Sequence, residues 1–265
     1  MEQLKKGSRL HALLPWIIPG IFVLVWVMVS YTELIPHYLL PNPLKIIKTG
    51  SAYIFSTANS PYAGRFLSDA GASLTRVFFG FFCAILFGLP LGILSGRLAV
   101  VNRLFDTFIN GLRAVPGITW LPLAMVWFGI GMRTTVFLVA LAAFFPIYLN
   151  AAAGARQINA QLLQAGAMMG VGRLRGSLSI LLPGSMPHIM TGLRLGLGIS
   201  WAYLVLGELT GVPNGLGAVI MDARMLGRVD MIIVGMILIA IVGRMSDGLL
   251  VKVLRGCFKS ARRMT

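Results

Sequence analysis

Charge is scarce in this chain. Asp, Glu, Lys and Arg make up 12% of its 265 residues, only eight residues are acidic, and 57% are hydrophobic. Such a balance excludes an ordinary soluble domain. Cysteine is also nearly missing. Cys83 and Cys257 stand far apart and Cys83 falls in an apolar run, which excludes a disulfide or metal framework. No lysine follows a glycine anywhere, so a phosphate-binding G-x-x-x-x-G-K-[ST] loop is absent. H-E-x-x-H and G-x-S-x-G are absent too, and His11, His37 and His188 are scattered, as interfacial or packed residues would be. The chain thus carries no familiar catalytic machinery and no metal or cofactor cluster. If it moves a solute uphill, the energy must come from an ion gradient or from another chain.

What is present is long uncharged sequence. Runs at 12–30, 77–96, 114–132 and 134–155 are each about as long as the roughly 20 residues a bilayer span requires. Apolar runs of this length mean helices, because membrane barrel strands are shorter and alternate. The expectation is an all-α polytopic membrane protein forming a single transmembrane domain over 1–265. Its six helices fall at about 12–30, 74–96, 116–132, 134–152, 186–209 and 230–251. The first is read as a retained helix rather than a cleaved signal, since no small-residue cleavage site follows it. Segment 31–75 contains Pro36, Pro41 and Pro43 and a short amphipathic piece at 44–55. A basic loop is expected at 97–115, a tight turn at 129–133 and a Gly- and Pro-containing loop at 211–229. Residues 176–193 carry no charge and could count as a seventh span, but Pro183, Pro187, Ser177, Ser179 and Ser185 argue against a simple helix there.

The net charge of +15 could suggest nucleic acid. The membrane rule accounts for it instead. Fourteen basic residues fall in the N-terminus 1–12, loop 97–115, loop 153–185 and the tail 252–265, against six on the other face: Lys45, Lys48, Arg65, Arg133, Arg224 and Arg228. Arg76, Arg194 and Arg244 lie within or at the ends of spans. Cytoplasmic loops are enriched in Lys and Arg, so both termini and the 153–185 loop are expected in the cytosol.

Within the spans, helix 2 has small residues at every fourth position: Gly80, Ala84, Gly88, Gly92 and Gly96. Gly192, Gly196 and Ser200 repeat the pattern in helix 5. Such a ladder lets another backbone approach closely, either inside one subunit or at a subunit–subunit seam lining a pathway. Arg244 and Asp247 are spaced i, i+3 for an ion pair. Glu208 either lines the exit of a solute pathway or hydrogen-bonds the outer loop. Trp120, Trp127 and Trp201 lie in spans; Trp120 and Trp201 are pathway candidates, with interface anchoring the alternative. A self-sufficient carrier driven by an ion gradient would have to use Glu208 and Arg244.

The loop 153–185 is too long for a simple connection. Its core, QAGAMMGVGRLRGSLSILLP at 164–183, begins with small residues, turns at Gly170 and Gly172 and ends in an apolar run closed by proline. Ala165, Ala167, Met168 and Met169 suggest a short helix with an apolar, adaptable face. This stretch resembles the cytosolic signature of ABC importer permeases, E-A-A-x3-G-x9-I-x-L-P. Ala165, Gly170, Ile180, Leu182 and Pro183 match it in spacing, while Gln164 replaces the acidic residue and Gly166 the second alanine. Segments 39–47, 73–96, 113–131 and 182–201 are similar to the nitrate/sulfonate/taurine type, and the likeness covers about 13–255.

The resemblance implies a type I ABC importer permease fold in the bacterial cytoplasmic (inner) membrane. It implies a homodimer of this permease, two ABC ATPase subunits that carry ATP and Mg, and an extracytoplasmic solute-binding protein. ATPase coupling would fall to Gln164, Ala165, Gly166, Met168, Met169, Gly170, Ile180, Leu182 and Pro183. The cargo would be a small polar anion, imported by alternating access, with this chain hydrolysing no ATP.

Overall fold

A computed structural model describes residues 2–32, 36, 38–56 and 62–257. His37, the tail beyond Cys257 and the side chains of Lys5, Lys6, Arg9, His11, Arg173 and Cys257 lie outside the described residues. Among those described, every regular element is helical. The chain divides into two compact units, residues 1–65 with 222–234 and residues 66–221 with 235–265.

The first unit contains α1 (Glu2–Tyr31) and α2 (Pro43–Phe55). The apolar part of α1, Ile17–Tyr31, exposes Ile18, Phe22, Leu24 and Met28. A helix surface of this kind suits lipid rather than water. Helix α2 begins where the sequence allows it: Asn42 accepts a hydrogen bond from the Leu44 amide, and Pro43, whose missing N–H costs nothing there, occupies the first turn.

The second unit is organised around α6 (Met132–Gln157), packed between α3 (Phe66–Arg97) and α9 (Leu182–Glu208). The small-residue ladder produces this arrangement. A Cβ on Gly92 would meet the Tyr148 carbonyl oxygen at 2.5 Å, and one on Gly80 would meet Val139 at 2.6 Å. Gly88 faces Phe144 and Ile147, Gly96 faces Ala152 and Ala155, and Ala84 is buried. From the other side, Gly196 lies against Ala143 and Ile147, and Gly192 against Pro146 and Asn150. Both ladders therefore pack onto α6 of the same chain. Without hydrophobic drive between helices in lipid, close backbone contact supplies the cohesion.

Helices Phe66–Arg97, Met132–Gln157, Ser179–Glu208 and Val229–Gly256 are long and apolar enough to cross a membrane. The expected third span differs. Residues 97–115 are not a loop: α4 (Ala99–Ala114) occupies them, followed by a 3-10 turn at Gly117–Thr119 and α5 (Trp120–Phe128). The two parts meet at 84° and together could form a fifth, broken span. Pro116 causes the break, because it disfavours helical geometry at Val115, which is extended with ψ 120°. The sequence does carry the sign of α4. Val101, Leu104, Phe105, Phe108, Ile109 and Leu112 recur at helical spacing between the charges. Tyr148 donates to Ser95, Ser95 to Asn102, and Arg156 also reaches Asn102, which ties α4 to α3 and α6.

The uncharged stretch 176–193 forms no separate span. Helix α8 (Arg173–Gly176) and a π-helical turn at Ser177–Leu181 run directly into α9, which starts before the expected residue 186. The wide turn accommodates Pro183, which has no N–H to continue the ordinary ladder. Gly129 (φ 72°) and Gly131 (φ 144°) make the tight turn into α6. After α9, α10 (Leu216–Met225) and α11 (Val229–Cys257) are the last of the described helices.

Candidate functional site

Three places in the second unit carry the candidate functional side chains. The first is the stretch 164–183, expected to couple to an ATPase. Helix α7 (Ala160–Met168) opens at Asn159, whose side chain accepts from the Gln161 amide. It closes through Met169 N–H donating to Ala165 and Gly166 carbonyls, Gly170 N–H to Ala167 and Val171 N–H to Gly166. Gly170 sits at φ 80°, the left-handed conformation that ends helices. The faces of α7 differ. Gly166 is buried against Ile180, whose Cδ1 would lie 2.8 Å from an added Cβ. Gln164 and Ala165 are exposed, as are Leu162 (57%), Met168 (88%) and Met169 (77%). Ile180, Leu182 and Pro183 are half-buried in the segment beneath. Arg97 donates to the Ile158 carbonyl at 3.2 Å and holds the root of α7 to the end of α3. Two of the expected coupling residues, 14 positions apart in sequence, thus meet where Gly166 packs on Ile180.

The second place is a cavity of about 330 Å³ at the α4–α5 corner, walled by α6 and α9. Arg113, Pro116, Trp120, Phe145, Ile199 and Tyr203 line it. Tyr203 reaches over Gly117 so closely that any side chain there would overlap its hydroxyl. Trp120, one of the two expected pathway residues, lines this cavity. Trp201, the other, is 6% exposed; its indole N–H donates to Ser246 at 3.0 Å and its ring lies on Gly243, so it packs α9 onto α11.

The third place surrounds Glu208, and here the sequence reading missed the partner. Glu208 is fully buried and accepts from Arg76 Nη1 at 2.5 Å, from Ser73 Oγ at 2.8 Å and from the Gly217 amide at 2.8 Å. Arg76 also donates to the Asn214 carbonyl at 2.7 Å, and Asp69 accepts from the Gly215 amide at 3.1 Å. Glu208 thus hydrogen-bonds the loop after α9, one of the two roles open to it, and its oxygens are occupied by these donors.

The expected Arg244–Asp247 pair forms, at 3.1 Å. Asp247 also holds Arg194 through two bonds, at 2.9 and 3.1 Å, a fork that sequence spacing could not indicate. His188 bonds Gln157 at 2.7 Å, as a packed residue would.

Long apolar helices, a broken helix and a short helix with exposed apolar side chains between two candidate spans are the architecture of a polytopic membrane protein. The chain belongs to the family described as binding-protein-dependent transport system inner membrane component, whose pattern matches residues 88–255. It is similar to the taurine transport system permease protein TauC of Escherichia coli, with 33% identity over 84% of this chain and 80% of that one. It is also similar to the nitrate import permease protein NrtB of Synechocystis, with 30% identity over 78% and 76%. The inward-facing MetNI methionine ABC transporter shares the fold, at a TM-score of 0.59 and 19% identity, covering 74% of this chain and 99% of that one. The protein is accordingly the permease subunit of an ATP-driven ABC importer in the inner membrane, working with a separate ATPase subunit and a solute-binding protein.

Proposed function

We propose that this permease imports a small polar anion of the sulfonate, taurine or nitrate type, and that it does so as one of two identical copies driven by two ATPase chains. Helix α7 seats in a groove of the ATPase, with Gln164, Ala165, Gly166, Met168, Met169 and Gly170 at the contact and Ile180, Leu182 and Pro183 beneath it. Both termini and α7 face the cytosol, and the solute-binding protein docks on the opposite face. ATP and Mg belong to the ATPase. When the ATPase dimer closes, α7 moves with it and the spans swing to open the pathway outward.

The observation that carries this reading is the exposure of Leu162, Met168 and Met169 on a capped helix whose opposite side is locked to Ile180. Apolar side chains at a cytosolic surface call for a partner, and methionine adapts to one that changes shape. An anionic cargo is supported by the names of the relatives and by Arg113 on the wall of the corner cavity.

The test is co-purification. Met168→Asp and Gly170→Leu should each reduce recovery of the ATPase with the permease and abolish ATP-driven uptake in proteoliposomes. Normal recovery and uptake in both variants would sink the coupling role. The permease alone, given an ion gradient and no ATP, should move nothing.

A further inference from the structure

The first unit contains a polar pocket of about 230 Å³ between α2, residues 62–63 and Arg228. Lys48, Thr49, Tyr62 and Arg228 line it. Thr49 donates to Asp230 at 2.8 Å and Arg228 donates to the same oxygen at 3.0 Å, so Asp230 is spoken for within the wall. The Arg228 guanidinium also stacks 5.5 Å from the centre of the Tyr62 ring, which fixes that ring. The Tyr62 hydroxyl is buried, yet it finds no hydrogen-bond partner among the described residues. A buried hydroxyl left without an acceptor is costly to keep, and a pocket that keeps one is shaped for an acceptor.

The charge around it points to which acceptor. Lys48 and Arg228 line the pocket, Arg65 acts on Tyr62 and Lys45 on Asp230 from nearby, against Asp222 and Asp230. These four cations are most of the six that the charge bias of the sequence assigns to the face away from the cytosol. The insertion bias depletes that face of Lys and Arg, so membrane insertion does not account for their gathering there. Burial and the nearby Asp222 raise the Tyr62 pKa, which keeps the phenol a neutral donor at any physiological pH.

The geometry points to a socket for one carboxylate side chain, an Asp or Glu presented by the solute-binding protein, accepting from Tyr62 and paired with Lys48. The volume suits a carboxylate on a short stem. The inference rests on the reading that this face is the outer one.

The experiment uses the complete transporter, permease with ATPase, in nanodiscs. The binding protein is titrated and its half-maximal concentration for ATPase stimulation is read. Tyr62→Phe should raise that concentration about tenfold. Lys48→Glu should raise it about tenfold and flatten its salt dependence. Maximal stimulation should be unchanged in both. An unchanged half-maximal concentration in both variants overturns the socket. So does a raised uptake KM at saturating binding protein with docking intact, which would mean that the pocket takes a free anion. The underlying topology is checked separately. Lys48→Cys, with Cys83 and Cys257 replaced by serine, should react with an impermeant maleimide from the outside only. Outside labelling with unaltered docking removes the socket alone; inside labelling removes both.

Discussion

Arg76 Nη1 lies 2.5 Å from Glu208 Oε1, joining two residues 132 positions apart with both side chains almost entirely out of contact with solvent. Arg76 lies about a third of the way along α3 and Glu208 closes α9. Between them they hold the loop 211–217, through Asn214 and the Gly217 amide. Gly215, at φ 138°, has no room for a side chain: a Cβ would lie 2.5 Å from the Glu208 carboxylate. The pair is therefore a latch on the segment after α9, and its energetics follow from burial.

Removing one partner leaves an uncompensated buried charge, which costs about 3–5 kcal/mol, whereas replacing both by apolar groups is often neutral. Arg76→Met and Glu208→Met should each lower the thermal unfolding temperature in detergent by several degrees. The double variant should recover most of the loss. Additive losses would show that the two side chains do not act as a pair. The ion-gradient carrier reading would instead have Glu208→Gln abolish uptake with stability intact.

The packing of α3 on α6 predicts a contrast between two glycines of one helix. Gly92→Val drives a side chain into the Tyr148 carbonyl and should destabilise by about 3 kcal/mol or more. Gly71→Ala meets nothing within 4 Å and should be neutral or stabilising by about 0.5–1 kcal/mol. Chemical denaturation of the purified protein reads both.

The corner cavity predicts a kinetic separation. Arg113→Gln should raise the uptake KM for an anionic solute about tenfold, by loss of a charge-assisted contact, while ATPase recovery stays normal. Gly117→Val should abolish uptake at any solute concentration, since it displaces Tyr203 from the cavity wall. Proteoliposome uptake across a solute series checks both, and an unchanged KM in Arg113→Gln would remove that residue from the pathway.

Much of this protein could be read from local pattern. Uncharged runs specified helices and the approximate positions of the long ones, the broken third span excepted, because a backbone in lipid must satisfy its own hydrogen bonds. The spacing of Ala165, Gly170, Ile180, Leu182 and Pro183 marked the stretch 164–183, and the alternation of charge with Leu104, Phe108 and Leu112 contained α4, although the arginines around it read as loop. Tertiary structure alone decided that α6 is the helix both glycine ladders face, that Trp201 is packed while Trp120 lines a cavity, and that Glu208 is answered by Arg76. Periodicity reports which face of a helix is small or apolar, but not which neighbour meets it. Partners more than a hundred residues apart leave no mark on each other's local sequence, so only the folded chain brings them together.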